Sequence, residues 1–341
     1  MKMKKKPVKN KKAKTARKSV VPKRTILITG GAGFIGAHLA KRLLEDGYQV
    51  IIVDNLNSYY SPELKKDRLK HLLAGQRHVF YKTDICDLPS LKEIFKKNKI
   101  DIICHLAAQP GVRHSLIDPW IYGLTNVQGM INLIELAKEA KVEKFIFASS
   151  SSVYGKKARV PFKESYKIDS PASLYGATKM ASELVAHAYH YLHGLKTIGL
   201  RFFTVYGPWG RPDMAYFKFA NLITQGKPID IYNFGKMRRD FTYIDDIIEG
   251  IILTIEKDFN YEIFNLGNSQ TVELEKFISI LEQNLNLKAE RNYLESNPTE
   301  MLHTWADISK ARKMLGFEPK TSVEEGLKKF VDWYKIYHRI K

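Results

Sequence analysis

Between Arg24 and Phe202, six short β-branched runs alternate with amphipathic segments, and this alternation narrows the possible folds more than any other feature. The runs at 25–29, 49–54, 79–82, 102–106, 144–148 and 197–202 read as strands bounded by Gly, Asp, Ser or charged residues. Segments 35–45, 62–73, 91–97, 122–140 and 175–192 carry apolar residues at spacings of three and four, as helices with one buried face do. The expectation is an α/β, doubly wound parallel sheet, a Rossmann fold, over residues 25–202. After Phe203 the rhythm loosens, with short strands near 229–232 and 263–266 and helices near 245–256 and 323–337. Residues 203–341 therefore read as a smaller α/β substrate lobe, partly interleaved with the first domain.

Charge separates a third region. The chain of 341 residues carries a net charge of +19, but residues 1–24 hold 12 Lys or Arg and no acid, so the remainder is only +7. This end reads as a basic, solvated tail, with an anion-binding arm as the alternative. It lacks the apolar core of a secretory signal. A mean hydropathy of -0.29 and the lack of any run of ~18 apolar residues exclude a membrane span of the helical kind. Two cysteines, Cys86 and Cys104, show no metal-type spacing and are too few for a disulfide framework, so no metal and a cytoplasmic setting are expected.

The first strand runs directly into Thr29-Gly30-Gly31-Ala32-Gly33-Phe34-Ile35-Gly36, which opens the first helix. Glycines let a backbone turn tightly against a pyrophosphate, and the free N–H groups of a helix start bind its charge. The second strand ends in Asp54, eighteen positions after Gly36 and followed by Asn55; a carboxylate there accepts the ribose hydroxyls of an adenosine. No base follows it closely, which favours NAD over NADP. Asp84-Ile85 and Leu106-Ala107-Ala108-Gln109 end the third and fourth strands at the same sheet edge, where Asp84 is placed to hold adenine and the alanines leave room.

Tyr175 and Lys179 lie four apart, on one helix face, where an ammonium stabilises a phenolate. Lowering a phenol from ~10 by ~3 units takes ~4 kcal/mol, which Lys179 and an oxidised nicotinamide together can supply. Ser150 stands 25 positions earlier in Ser149-Ser150-Ser151-Ser152-Val153-Tyr154-Gly155 at the end of the fifth strand. With these motifs the chain resembles the extended short-chain dehydrogenase/reductases, in the nucleotide-sugar epimerase and dehydratase group. The resemblance implies that Ser150 hydrogen-bonds the reacting hydroxyl, Tyr175 takes its proton, and Lys179 also holds the nicotinamide ribose. Dehydratases of the group resemble one another in an Asp-Glu pair where this chain has Ser151-Ser152, and decarboxylases usually have Glu at the place of Ser152. The 4-epimerase chemistry remains: oxidation at the sugar C4, rotation of a 4-keto intermediate, and return of the hydride to its other face.

Three further segments resemble the UDP-glucuronate 4-epimerase family: Asp54 to Tyr60, His105 to Arg113, and above all Arg201-Phe-Phe-Thr204-Val-Tyr-Gly-Pro-Trp-Gly-Arg211-Pro-Asp-Met-Ala215. The resemblance implies a UDP-sugar substrate, with Thr204 and the serine run at the sugar carboxylate and Arg211 in the nucleotide-sugar pocket. It also implies Arg239 of Arg239-Asp-Phe-Thr-Tyr-Ile-Asp-Asp246 at the diphosphate, where a guanidinium gives charge-assisted hydrogen bonds. Arg113 is a second carboxylate candidate. Relatives usually carry Pro-Gly-Asp where this chain has Pro298-Thr299-Glu300, which keeps UDP-glucose 4-epimerase as the alternative. From another class, a non-catalytic scaffold with an RNA-binding tail competes, against which the intact Ser150, Tyr175 and Lys179 argue. The helical segments 122–140 and 175–192 resemble those that form a four-helix contact in relatives, so a homodimer is expected.

Overall fold

A computed structural model describes residues 24–156, 158–295 and 301–340; the basic tail up to residue 23 and the 297–300 segment lie outside the described residues. In chain order the first elements are β1 (Thr25–Thr29), α1 (Phe34–Glu45), β2 (Gln49–Asp54), α2 (Pro62–Leu72), β3 (Val79–Lys82), α3 (Leu88–Lys97) and β4 (Ile102–His105). There follow α4 (Pro119–Tyr122), α5 (Gly129–Glu139), β5 (Lys144–Ser150), α6 (Leu174–His193) and β6 (Thr197–Phe202). The rest comprises β7 (Thr204–Tyr206), α7 (Ala215–Thr224), β8 (Ile229–Tyr232), β9 (Arg238–Arg239), β10 (Phe241–Tyr243) and α8 (Ile244–Glu256). It ends with β11 (Tyr261–Leu266), β12 (Val272–Glu273), α9 (Leu274–Leu285), β13 (Arg291–Leu294), α10 (Ser309–Leu315) and α11 (Val323–His338).

Seven of the strands form one parallel sheet in the order β11-β6-β5-β4-β1-β2-β3. The period of two along each strand divides its side chains between two apolar layers. Ile26, Ile28, Ile52, Ile102, Cys104 and Ile146 pack on one face, whereas Leu27, Ile51, Val53, Ile103, Phe145 and Phe147 pack on the other. Strand order reverses between β1 and β4, so the loops leaving these two strands part and open a crevice at the carboxyl edge.

Two features depart from the linear pattern. Strand β11, in the region assigned to the second lobe, pairs with β6 and completes the central sheet, and α8 packs on α1. The helix expected at 122–140 starts at Pro119 and passes through a π-helical stretch, Gly123–Gln128, before α5. Side-chain bonds accompany that widened turn: Ser182 Oγ donates to Asn126 O at 3.4 Å, and Asn126 Oδ1 accepts from Gln109 N at 2.7 Å.

Candidate active site

The glycine loop is a close-approach device. Gly30 has φ +69°, and a Cβ there would sit 2.7 Å from Ala107 N, so the loops after β1 and β4 touch only because the side chain is missing. A Cβ on Gly36 would collide with the backbone of Gly30 and Gly31, which brings α1 down onto the loop. Gly33 caps α1 without a side chain and the first turn carries no acid, leaving the helix N–H groups and dipole for an anion.

These elements wall a cavity of about 230 Å³. Of the residues assigned from sequence, Gly30, Gly33, Phe34, Ile35, Gly36, Asp54, Asn55, Ile85, Leu106, Ala107 and Ala108 line it, together with Ser150, Tyr175, Lys179 and Arg211. Asp54 is fixed from within: Oδ2 accepts from Ala32 N at 3.0 Å and Oδ1 from Leu56 N at 2.8 Å. Each oxygen keeps a lone pair for a ribose hydroxyl. The donor set therefore fits a dinucleotide: N–H groups for the diphosphate, a carboxylate for the ribose, and small side chains beside it.

Seven expected contacts fall outside this wall. Asp84 accepts from Asn55 Nδ2 at 2.7 Å and from Cys86 N at 2.8 Å, one bond on each oxygen, so it braces Asn55 beside the cavity and, like Asp54, keeps a lone pair on each oxygen. Gln109 is buried beside the π-helical turn, its main chain bonded to the Asn126 side chain. Ser151, Ser152 and Thr204 stand outside the cavity lining, and Ser152 Oγ accepts instead from Ser150 Oγ at 3.2 Å. Arg113 lies over the Tyr232 ring at 4.3 Å, and Arg239 Nη1 donates to Arg238 O at 3.2 Å. Conversely, Lys65, Tyr59, Tyr60 and Thr125 line the cavity without having been assigned. Lys65 corrects the inference that no base stands near Asp54. It is eleven residues away in sequence, but α2 folds it back into the same cavity, with Nζ on Asn57 Oδ1 at 2.7 Å.

The start of α6 sets the reacting groups. Ser173 Oγ accepts from Gly176 N at 3.1 Å and fixes the first turn, which carries Tyr175. One turn on, Lys179 Nζ donates to Ala148 O at 2.8 Å, tying the helix to β5 just before Ser149 and Ser150. Below them Ser149 Oγ donates to Glu183 Oε1 at 2.5 Å, and Glu183 forms a buried bidentate pair with Arg201 at 2.9 and 2.7 Å.

Burial raises the Tyr175 phenol above its ordinary value, opposed by the Arg211 charge and a hydrogen bond from Ser150. Burial also lowers the Lys179 ammonium, to about 8. Among the chain's own groups the facing charge is that of Arg211, and the expected drop in the phenol value calls for an oxidised nicotinamide beside Lys179. Burial works against a charged Arg211, but Asp213 outweighs it and keeps the guanidinium ionised, with Nε to Asp213 Oδ1 at 3.1 Å. His105, buried between β1 and β4, is pushed down to about 3 by desolvation and by Lys179, so it is neutral, with Nδ1 2.7 Å from Thr29 Oγ1.

Residues 26–267 match the model of the NAD dependent epimerase/dehydratase family. Over 91% of its length the chain is 51% identical to an uncharacterized protein of Methanocaldococcus jannaschii, covering 96% of it. It is 46% identical to a UDP-glucuronate 4-epimerase of Thermodesulfobacterium geofontis, with 91% of this chain and 95% of that one covered. Among solved structures, the UDP-glucuronic acid 4-epimerase of Bacillus cereus, in complex with UDP-glucuronic acid and NAD, superposes with a TM-score of 0.85 at 38% identity, over 92% of this chain and 99% of the other. The matched residues span well over half of the chain, and the chain belongs to the NAD dependent epimerase/dehydratase family.

Proposed function

We propose that the protein is a UDP-glucuronate 4-epimerase, an NAD-dependent isomerase that interconverts UDP-glucuronate and UDP-galacturonate. One observation carries this: a single cavity joins the dinucleotide loop to Ser150, Tyr175, Lys179 and a guanidinium, Arg211. Gly30, Gly33, Gly36 and Asp54 hold the cofactor. When bound, NAD supplies a positive charge beside the phenol and reversible hydride acceptance from the sugar C4, by way of a 4-keto sugar. Tyr175 takes the proton of the C4 hydroxyl and returns it, Ser150 hydrogen-bonds that oxygen, and Lys179 holds the α6 turn against β5. Arg211 supplies the charge that favours an anionic substrate.

Incubation of the purified chain separately with UDP-glucuronate and UDP-glucose, without added NAD, tests this. The expected outcome is C4 epimerisation of the glucuronate at least tenfold faster than of the glucose. Equal or reversed rates would move the assignment to UDP-glucose.

The helices beside the site leave an apolar face: Ile117, Trp120 and Leu124 on one side, and Leu184, Tyr191 and Leu192 of α6 on the other, with exposures of 54–85%. We infer that a second copy covers it, giving a homodimer, because these elements pack on one another and leave six large apolar side chains bare, as soluble monomers seldom do. Leu184→Glu should halve the mass measured by light scattering from twice 39.2 kDa to one chain. A parent that is already monomeric contradicts the inference. Among the described residues no helix is long and apolar enough to cross a membrane. The free thiols of Cys86 and buried Cys104 suit the cytoplasm, where we place the enzyme.

A further inference from the structure

Arg68, on α2, is fully buried, and among the described residues it forms no ion pair. Its guanidinium instead makes four hydrogen bonds to uncharged oxygens. Nη1 donates to Ala32 O at 3.2 Å and to Tyr60 Oη at 2.7 Å. Nε donates to Trp209 O at 2.7 Å, and Nη2 to Gly210 O at 2.8 Å. A buried cation without a counter-ion is costly, so four directed bonds at one side chain point to a constraint that an apolar residue could not impose.

The partners show what is constrained. Ala32 belongs to the glycine loop, and its own N–H is held by Asp54. Trp209 and Gly210 immediately precede Arg211, in a turn where Trp209 has φ +60° and where a Cβ on Gly210 would strike the Tyr216 hydroxyl. Tyr60 lines the cavity between them. The same helix holds this turn from outside, because His71 stacks on the Trp209 ring at 5.5 Å.

We propose that Arg68 is a positioning residue: a single buried guanidinium sets the spacing between the dinucleotide loop and the Arg211 turn. Cofactor retention and grip on the anionic substrate then depend on it together. The planar fork matters, since its nitrogens reach Ala32 O and the Trp209–Gly210 carbonyls at once. A lysine keeps the charge but gathers its donors at one atom. This inference rests on the function proposed above.

The test compares the full-length parent with Arg68→Lys. In the folded variant, KM for UDP-glucuronate should rise at least tenfold and NAD retained per chain after desalting should fall by at least half, with kcat at saturating substrate and added NAD within threefold. A merely structural role would lower the melting temperature and leave both readouts in place. A change in only one of the two, or in neither, overturns the proposal. Should Arg68→Lys not fold, Tyr60→Phe removes one acceptor alone and should raise KM and weaken NAD retention together by about threefold; no joint change overturns it. A parent without turnover of UDP-glucuronate would instead refute the proposed function, and NAD retention with calorimetric binding of UDP would still decide the role of Arg68.

Discussion

Tyr175→Phe is expected to lower kcat about a thousandfold, within the range that general acid–base catalysis contributes, while NAD stays bound. The phenyl ring keeps the wall of the cavity and its edge-on contact with Tyr122, whose ring centroid lies 6.3 Å away. Only the proton acceptor is lost. The pH profile supplies the sign. Burial raises the phenol, and the charges of Arg211, Lys179 and bound NAD oppose that rise, so the parent rate climbs with pH over the range in which Lys179 keeps its proton. Lys179, lowered to about 8, is charged below that pH and neutral above it, so loss of its charge limits the alkaline side. The residual rate of Tyr175→Phe should lack the acid limb. A variant within tenfold of the parent, or one with the same limb, would remove Tyr175 from the role of base.

The second large effect concerns the floor of the site. Glu183→Ala leaves Arg201, whose side chain is 4% exposed, without its carboxylate, and breaking such a buried pair costs about 3–5 kcal/mol of folding stability. It also deprives Ser149 Oγ of its acceptor at the end of β5, next to Ser150. Urea unfolding measures the loss. Removing both charges in Glu183→Leu/Arg201→Met should recover most of it, because two apolar groups satisfy a buried site that one orphaned ion cannot. A loss below about 1 kcal/mol, the scale of an exposed ion pair, would mean that the pair carries little of the stability.

The local parts of this fold were legible in the sequence because their signals are local. Ile26, Leu27 and Ile28 announce a strand buried on both faces, and the glycines from Gly30 to Gly36 announce a turn that no side chain can occupy. The place of β11 was not legible. Tyr261–Leu266 reads like any short strand, and only its pairing with β6, some sixty residues earlier, puts it in the central sheet. The π-helical turn escaped for a similar reason: its partners Gln109 and Ser182 come from distant segments.

At the site, residue types were readable and side-chain commitments were not. Asp84 reads as a ligand at a strand end, but its bonds to Asn55 and Cys86, which brace the neighbouring wall, are not legible from the order of residues. Lys65, eleven residues beyond Asp54, does not follow it closely in the chain, and one helix folds it back into the same cavity. The same helix carries Arg68, whose four acceptors come from three separate loops. A linear motif cannot register a residue whose partners are backbone carbonyls, because every residue offers one.

The proposed reaction requires that hydrogen leave the sugar C4 and return to the same carbon from the opposite side, within one cavity. UDP-glucuronate carrying deuterium at C4, converted by the purified chain in ordinary water and analysed by NMR, tests it most directly. The predicted product is UDP-galacturonate that retains the deuterium at C4. Replacement of that label by solvent hydrogen, or conversion without inversion at C4, would contradict it.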